Sequence, residues 1–189
     1  MLIAHPAAGY LATKGALALG LGRGRGLSDR TLLAVGVAAS VLPDADLLYF
    51  YTIDRQQHLH YGYWTHIPAF WAVVLGLAAG VCWVRHIRNG APVIALVALN
   101  LFLHFVLDTV AGGMRWLYPF SSRGFALVRV PAEHGHWFLN FIWHWTFILE
   151  LLLWAAALYV LARSWRRRKR AAVPLGSSEA ATQERGTAE

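Results

Sequence analysis

The chain has 189 residues, of which 57% are hydrophobic and 14% are charged, and it contains nine Trp. Soluble domains are about 45–50% apolar and about 25% charged, so this composition excludes an ordinary soluble domain and favours an integral membrane protein. The formal net charge is +7, but six of the 17 Lys and Arg residues lie between Arg163 and Arg170, directly after a long apolar run. Such a cluster is typical of a membrane anchor, so the expected partner is the lipid bilayer and not nucleic acid.

Five apolar segments approach the length of about 20 residues that a membrane-spanning helix needs. We therefore predict an all-α integral membrane protein, a bundle of about five transmembrane helices with a polar cavity on its outer side. The transmembrane domain is expected to occupy residues 1–165. Residues 166–189 are expected to form a cytoplasmic tail, first basic and then disordered, because the composition there becomes rich in Ala, Ser, Glu and Gly. The predicted spans are residues 2–21, 31–51, 67–84, 91–110 and 137–162.

The distribution of Lys and Arg between the loops predicts the orientation of these spans. With five spans, residues 22–30, 85–90 and 163–170 lie on one side of the membrane and carry eleven basic residues. The loops on the other side carry four. Because cytoplasmic loops are enriched in Lys and Arg, we expect a multi-pass inner-membrane protein with its N-terminus outside and its C-terminus cytoplasmic.

In this topology, eight of the nine His residues fall at the outer side of the membrane, together with several Asp residues. Ionisable groups at membrane depth are costly, so they are expected to face a bundle interior or a cavity and to mark function. Five segments that are distant in sequence are expected to bring such groups to one depth in the membrane. These residues are His5, Asp44, Asp46, His58, His60, His66, His104, Asp108, His134, His136 and His144.

Mixed imidazole and carboxylate groups indicate a divalent metal site, with Zn²⁺ as the leading candidate. His104 and Asp108 are four residues apart, which puts both side chains on one helix face. Simpler roles remain open for single residues. An intramembrane His144 can form an interhelical hydrogen bond, and a Pro-Asp-x-Asp segment can cap a helix end. His134 and His136 are expected to contact solvent at the interface.

The same residues resemble the pattern of the YdjM-like membrane-bound proteins, a family assigned as metal-dependent hydrolases. That pattern runs from an N-terminal His through Pro-Asp-x-Asp and His-Arg-Gly-x-Thr-His-Ser to His-x-x-x-Asp followed by Gly and Pro. The resemblance covers roughly residues 1–125. It departs at Tyr61, which replaces the Arg, at Ile67, which replaces the Ser, and by one extra loop residue. The matching segments here are His5, Pro43-Asp44-Ala45-Asp46, His60 to His66, and His104 to Asp108.

We therefore expect a membrane-embedded metal-dependent hydrolase that acts on a lipid-like, phosphate or carboxylic ester at the outer membrane surface. Asp44 and Asp46 are also candidate catalytic residues, one of them as a general base. The alternatives are a non-enzymatic metal- or haem-binding protein and a protein that handles ions or protons. The expected metal ligands are His5, Asp44, Asp46, His60, His66, His104 and Asp108.

Two charged residues lie deep in predicted spans and outside these motifs. Lys14 and Glu150 are each about twelve or thirteen residues from the outer end of their spans. At a rise of 1.5 Å per residue, both lie at a depth of roughly 18–20 Å. Because an isolated charge is costly there, the sequence predicts that Lys14 contacts Glu150 and that the first and fifth helices are neighbours.

Overall fold

A computed structural model describes residues 1, 3–22, 26–55, 57 and 62–171 of the chain. The predicted all-α fold is confirmed for these residues, which contain no β-strand and only an isolated bridge between Met114 and Phe125. Residues Met1–Ala157 form one compact unit, and Leu158 begins a second. The helices are α1 (Ala4–Ala18), α2 (Asp29–Val41), α3 (Asp46–Thr52), α4 (Pro68–Val84), α5 (Gly90–Ala111), α6 (Trp137–Ile142) and α7 (Thr146–Ala171). Two 3-10 turns lie at Pro43–Ala45 and Trp64–His66.

Two helices are long and apolar enough to span a membrane, namely Gly90–Ala111 and Thr146–Arg170. The pair Asp29–Val41 and Pro43–Thr52 also qualifies when taken together, which gives up to three spans in the described residues. Helix α4 is apolar but has 17 residues, and α1 has 15. The membrane helices of the prediction are therefore present, whereas the count of five remains a prediction.

Two predicted spans are not continuous helices. The segment predicted as residues 31–51 bends by 58° at the break between α2 and the Pro43–Ala45 turn. Proline has no backbone N–H and its ring clashes with the preceding turn, which explains the break. The segment predicted as 137–162 is interrupted after Ile142 and resumes as α7 at Thr146. There the His144 Nδ1 atom lies 2.9 Å from the Thr146 hydroxyl, so His144 has a local partner.

Helices α1, α2 and α5 pack against one another, and α4 packs on α5. Small residues allow α1 and α2 to approach closely, because a Cβ atom added at Gly9 would lie 2.3 Å from Ser40 Oγ. A polar contact joins α1 to α5, where the Asn100 side chain donates to Thr13 Oγ1 at 3.2 Å. The three helices thereby hold the N-terminus of the chain, the end of α2 and the middle of α5 close together.

The predicted contact between Lys14 and Glu150 is not formed. The Glu150 carboxylate is buried and accepts a hydrogen bond from the backbone N–H of Ile3. The Trp154 indole N–H donates to the Ile3 carbonyl at 2.8 Å. Amides at the start of a helix lack partners within the helix, so Glu150 is satisfied by the backbone ahead of α1 and not by Lys14. Ile3, directly ahead of α1, contacts the helix that carries Glu150, but α1 itself is not among the helices that pack on α7 in the described part of the chain.

Candidate metal centre

Four elements bring a cluster of His and Asp side chains to one buried location. His5 lies in the first turns of α1, and Asp44 lies in the 3-10 turn that follows α2. His66 ends the turn before α4. His104 and Asp108 lie four residues apart in α5, on one helix face as predicted. The side chains are 0–1% exposed, except Asp44 at 24%. The cluster therefore opens to its surroundings at Asp44.

Four donor atoms form the centre of this cluster: His66 Nε2, His104 Nε2, Asp44 Oδ1 and Asp108 Oδ2. We refer to them as the donor quartet. The two Nε2 atoms are 3.5 Å apart. His66 Nε2 lies 3.5 Å from Asp44 Oδ1 and 3.7 Å from Asp108 Oδ2. His104 Nε2 lies 3.8 Å and 3.2 Å from the same two oxygens.

These separations suit a small divalent cation. Metal bonds of about 2.0–2.2 Å in a tetrahedral zinc site separate the donor atoms by about 3.3–3.6 Å. The five measured separations range from 3.2 to 3.8 Å. Two imidazoles with two carboxylates are also a donor set that a borderline divalent ion prefers. The residues present therefore fit a metal ion.

Hydrogen bonds on the far side of each ring orient the two imidazoles. His104 Nδ1 lies 2.8 Å from the Ser40 backbone carbonyl, and His66 Nδ1 lies 2.8 Å from Asp46 Oδ2. A carbonyl or carboxylate oxygen only accepts, so each Nδ1 is the protonated nitrogen and donates. In the neutral rings this leaves the Nε2 lone pairs directed into the cluster. Metal-binding His residues generally have such outer partners.

Asp46 is itself held in place, because the Thr65 hydroxyl donates to the oxygen that His66 contacts. Burial disfavours the charged form of His66, but hydrogen bonds with Asp44 and Asp46 outweigh this effect and raise its pKa to about 9. A proton on His66 thus balances part of the negative charge of the surrounding carboxylates. A divalent cation in the cluster would take over that role and displace the proton.

His5 lies on the opposite oxygens of the same two carboxylates. Its Nε2 atom is 3.1 Å from Asp108 Oδ1 and 3.9 Å from Asp44 Oδ2. The ammonium group of Met1 also donates to Asp108 Oδ1, so this oxygen already attracts a cationic group. His5 Nδ1 and Asp108 Oδ2 are buried without a hydrogen-bond partner in the described part of the chain.

A second grouping of donors overlaps the quartet. One donor atom each from His5, Asp44, His104 and Asp108 lies within 4.8 Å of the others. It contains His5 in place of His66. We favour the quartet as the metal ligands because both of its imidazoles have their outer nitrogen anchored, whereas His5 Nδ1 has no hydrogen-bond partner in the described part of the chain.

The structure brings five of the seven predicted ligands together, namely His5, Asp44, His66, His104 and Asp108. Asp46 lies behind His66, where it contacts the outer nitrogen of the ring. The predicted ligand His60 lies outside the described residues, as does His58. His134 contacts the Asn140 side chain, and His136 accepts from the backbone N–H of Phe138 at the start of α6.

Sequence reasoning missed the Ser40 carbonyl and the Thr65 hydroxyl as parts of the site. A backbone carbonyl carries no residue-specific signal, so Ser40 was not detectable from residue types. Thr65 immediately precedes His66 and lies in the segment that carries the family pattern. The position of Thr65 next to His66, a predicted ligand, was therefore the signal that could have identified it.

A cavity of about 710 Å³ adjoins the outer partners of the cluster. Asp46 and Thr65 form part of its wall, so the cavity reaches the layer of side chains directly behind His66. Its volume is within the range of about 300–1,000 Å³ that is usual for small-molecule sites. The other lining residues are Ala45, Tyr49, Asp54, Gly62, Tyr63, Trp64 and Arg115.

Comparisons with known proteins relate the chain to inner membrane proteins. A family described as "YdjM inner membrane protein" matches residues 1–175. The chain is 28% identical over 171 residues to the inner membrane protein YbcI of Escherichia coli strain K12, and the alignment covers 81% of this chain and 94% of YbcI. No solved structure matches the chain.

Proposed function

Because this chain belongs to the YdjM inner membrane protein family and gathers the donor quartet, we propose that it is a membrane-embedded metal-dependent hydrolase. The substrate class is a lipid-like, phosphate or carboxylic ester. The observation that carries the proposal is the 3.5 Å separation of the His66 and His104 Nε2 atoms, with each Nδ1 atom bonded to an oxygen acceptor. A purely structural His pair would not require both lone pairs to face one another among carboxylates.

The residues that would hold the ion are His66, His104, Asp44 and Asp108. A divalent cation, when bound, supplies an activated water molecule and polarises the ester group that is cleaved. The alternative to a metal centre is a buried polar network that only stabilises the bundle. Burying two carboxylates and two imidazoles among apolar helices costs free energy, since each buried charge needs full compensation. A role in bundle stability alone therefore explains the cluster less well than metal binding does.

Asp44 is the candidate general base. It is the most exposed member of the cluster, and its Oδ2 atom, which is not part of the donor quartet, lies 3.9 Å from His5 Nε2. Asp44 is thus placed to accept a proton from water at the exposed side of the cluster. Asp46 acts as a positioning residue for the His66 ring, because its carboxylate accepts hydrogen bonds from His66 Nδ1 and from the Thr65 hydroxyl.

We place the site at the outer surface of the inner membrane, on the basis of the eleven-to-four asymmetry of basic residues. The cluster lies at the end of α5 that precedes the loop with Arg115, which belongs to the side with few basic residues. An ester whose head group lies at the outer membrane surface would reach Asp44 from that side.

The test is a hydrolysis assay on purified full-length protein with soluble phosphate esters, carboxylic esters and phospholipids. The assay is run after removal of metal and again after addition of Zn²⁺ or Mn²⁺. We expect turnover of one ester class that requires the added metal and is lost in Asp44→Asn. Metal retention without turnover of any ester would overturn the enzymatic proposal and favour a metal-binding protein without hydrolase activity.

A further inference from the structure

We propose that the cavity beside the metal centre binds the phosphate group of a phosphate ester and that Arg115 is its anion-binding residue. This inference rests on the proposed hydrolase function and narrows its substrate class. It follows from the position of a half-buried guanidinium in the wall of a cavity that also contains Asp46 and Thr65.

Arg115 lacks a counter-ion in the described part of the chain. It is half-buried, forms no ion pair there, and its Nη1 atom would lie 3.9 Å from a Cβ atom added at Gly62. A partly desolvated charge without a partner is unfavourable, so this position favours an anionic ligand. The planar guanidinium offers paired N–H donors that match the oxygens of a phosphate group.

The two acidic residues that line the cavity, Asp46 and Asp54, differ in how strongly they repel an anionic ligand. The Asp46 carboxylate is bonded to Thr65 and His66, whose protonated Nδ1 faces it. Part of its charge is therefore compensated before a ligand enters. Asp54, which interacts with the Tyr63 side chain, is a second acidic residue in the wall, and its carboxylate disfavours a ligand with a high charge density. A phosphodiester, with one negative charge, suits this balance better than a fully ionised phosphate monoester.

Three aromatic side chains, those of Tyr49, Tyr63 and Trp64, also line the cavity. Tyr49 and Tyr63 meet edge to face with ring centroids 5.7 Å apart, and Trp64 is 59% exposed. Aromatic rings with polar tips are favoured where one end of a ligand is apolar and the other is hydrated. These walls suit the glycerol portion of a phospholipid and equally the organic portion of a soluble phosphate ester.

The experiment measures binding to metal-free full-length protein in neutral detergent by isothermal titration calorimetry. One arm uses glycerophosphoethanolamine, a soluble phosphodiester, and the other uses phosphatidylethanolamine in mixed micelles. A diacylglycerol lacking phosphate serves as the reference ligand. We expect a phosphate-containing probe to bind and Arg115→Ala to weaken this binding about 10- to 100-fold, as for the loss of a charged hydrogen bond. Binding in the first arm alone assigns a soluble ester, and preference for the micellar probe assigns a lipid.

Arg123→Ala is the matched control. Arg123 lies in the same loop, is exposed, and stacks near Phe125 at 5.8 Å outside the cavity wall, so its loss should leave binding unchanged. Arg115→Gln provides a second variant that keeps hydrogen-bond donors but removes the charge. Equal affinity of wild type, Arg115→Ala and Arg115→Gln for the phosphate probes would overturn this inference. Metal retention by the same samples, measured separately, reports on the metal centre. Intact metal binding with no effect of Arg115 would therefore reject the phosphate site alone.

Discussion

The Nε2 atoms of His66 and His104 lie 3.5 Å apart in a buried site, although the two residues are 38 positions apart in sequence. Each ring donates through its other nitrogen, His66 to Asp46 and His104 to the Ser40 carbonyl. Two neutral rings fixed in this way would direct two lone pairs at one another, which is unfavourable unless a proton or cation lies between them. The surrounding Asp44 and Asp108 carboxylates favour that positive charge.

Removing the charge of Asp46 should weaken metal binding without abolishing it. Asn retains an oxygen that can accept from His66 Nδ1 but no longer supports the ring with a negative charge. We expect Asp46→Asn to lower metal affinity about 10- to 100-fold, which is typical of outer-shell partners. Competition with a fluorescent zinc chelator measures this change. Asp54→Asn is the control, because Asp54 lines the same cavity and interacts with Tyr63, which is not a member of the donor quartet. Complete loss of metal in Asp46→Asn would instead make Asp46 a ligand.

The contact between α1 and α2 should tolerate no extra atom at Gly9. A Cβ atom there would lie 2.3 Å from Ser40 Oγ and 2.4 Å from Ser40 Cβ, so rotating the hydroxyl cannot relieve the clash. We expect Gly9→Ala to destabilise the protein by about 1–3 kcal/mol, as overpacking does, and to shift the carbonyl that orients His104. Thermal unfolding in detergent measures the effect.

Gly15→Ala is the control in the same helix. No atom lies within 4 Å of an added Cβ at Gly15, and Ala is favoured over Gly inside a helix by roughly 0.5–1 kcal/mol. Gly15→Ala should therefore be neutral or stabilising. A loss of stability in Gly15→Ala equal to that in Gly9→Ala would show that the contact with Ser40 is not the cause.

The orientation predicted from loop charges is tested by fusions at the C-terminus. The basic cluster from Arg163 to Arg170 predicts a cytoplasmic C-terminus. A C-terminal alkaline phosphatase fusion should be inactive in bacteria, and a C-terminal green fluorescent protein fusion should be bright. An active phosphatase with a dark fluorescent fusion would invert the topology and move the metal centre to the cytoplasmic side.

The positions of the polar residues were predictable because burying charge in a membrane protein is costly. That rule selected His5, Asp44, His66, His104 and Asp108 from four distant segments, and the structure brings them together. The i, i+4 spacing of His104 and Asp108 also determined their common face before any tertiary information was available. These predictions depend on residue type and local geometry, which the sequence contains directly.

Other features depend on tertiary detail. The Pro43-Asp44-Ala45-Asp46 segment was compatible with a helix end, but neither the 58° bend nor the resulting placement of Asp46 behind His66 follows from spacing alone. The equal depth of Lys14 and Glu150 suggested an ion pair. A backbone amide at Ile3 satisfies Glu150 instead, and backbone groups are present at every position of a sequence. Such partners therefore leave no signal in residue types.

The two possible sets of ligands make different predictions for His5 and His66. None of the donor quartet atoms belongs to His5, so His5→Ala should retain the metal ion with reduced affinity. His66→Ala should lose the ion. The reverse result would replace the quartet by the grouping of His5, Asp44, His104 and Asp108.

The most direct test of the metal centre is elemental analysis of the purified full-length protein after exposure to Zn²⁺ and removal of excess metal. We expect about one ion per chain in the wild type, as for a site with one complete donor set, and almost none in His104→Ala. Circular dichroism should show the same helix content in both proteins, because bundle packing is distributed over many apolar contacts. A wild type without bound metal, or a His104→Ala variant that retains as much metal as the wild type, would contradict the proposed centre.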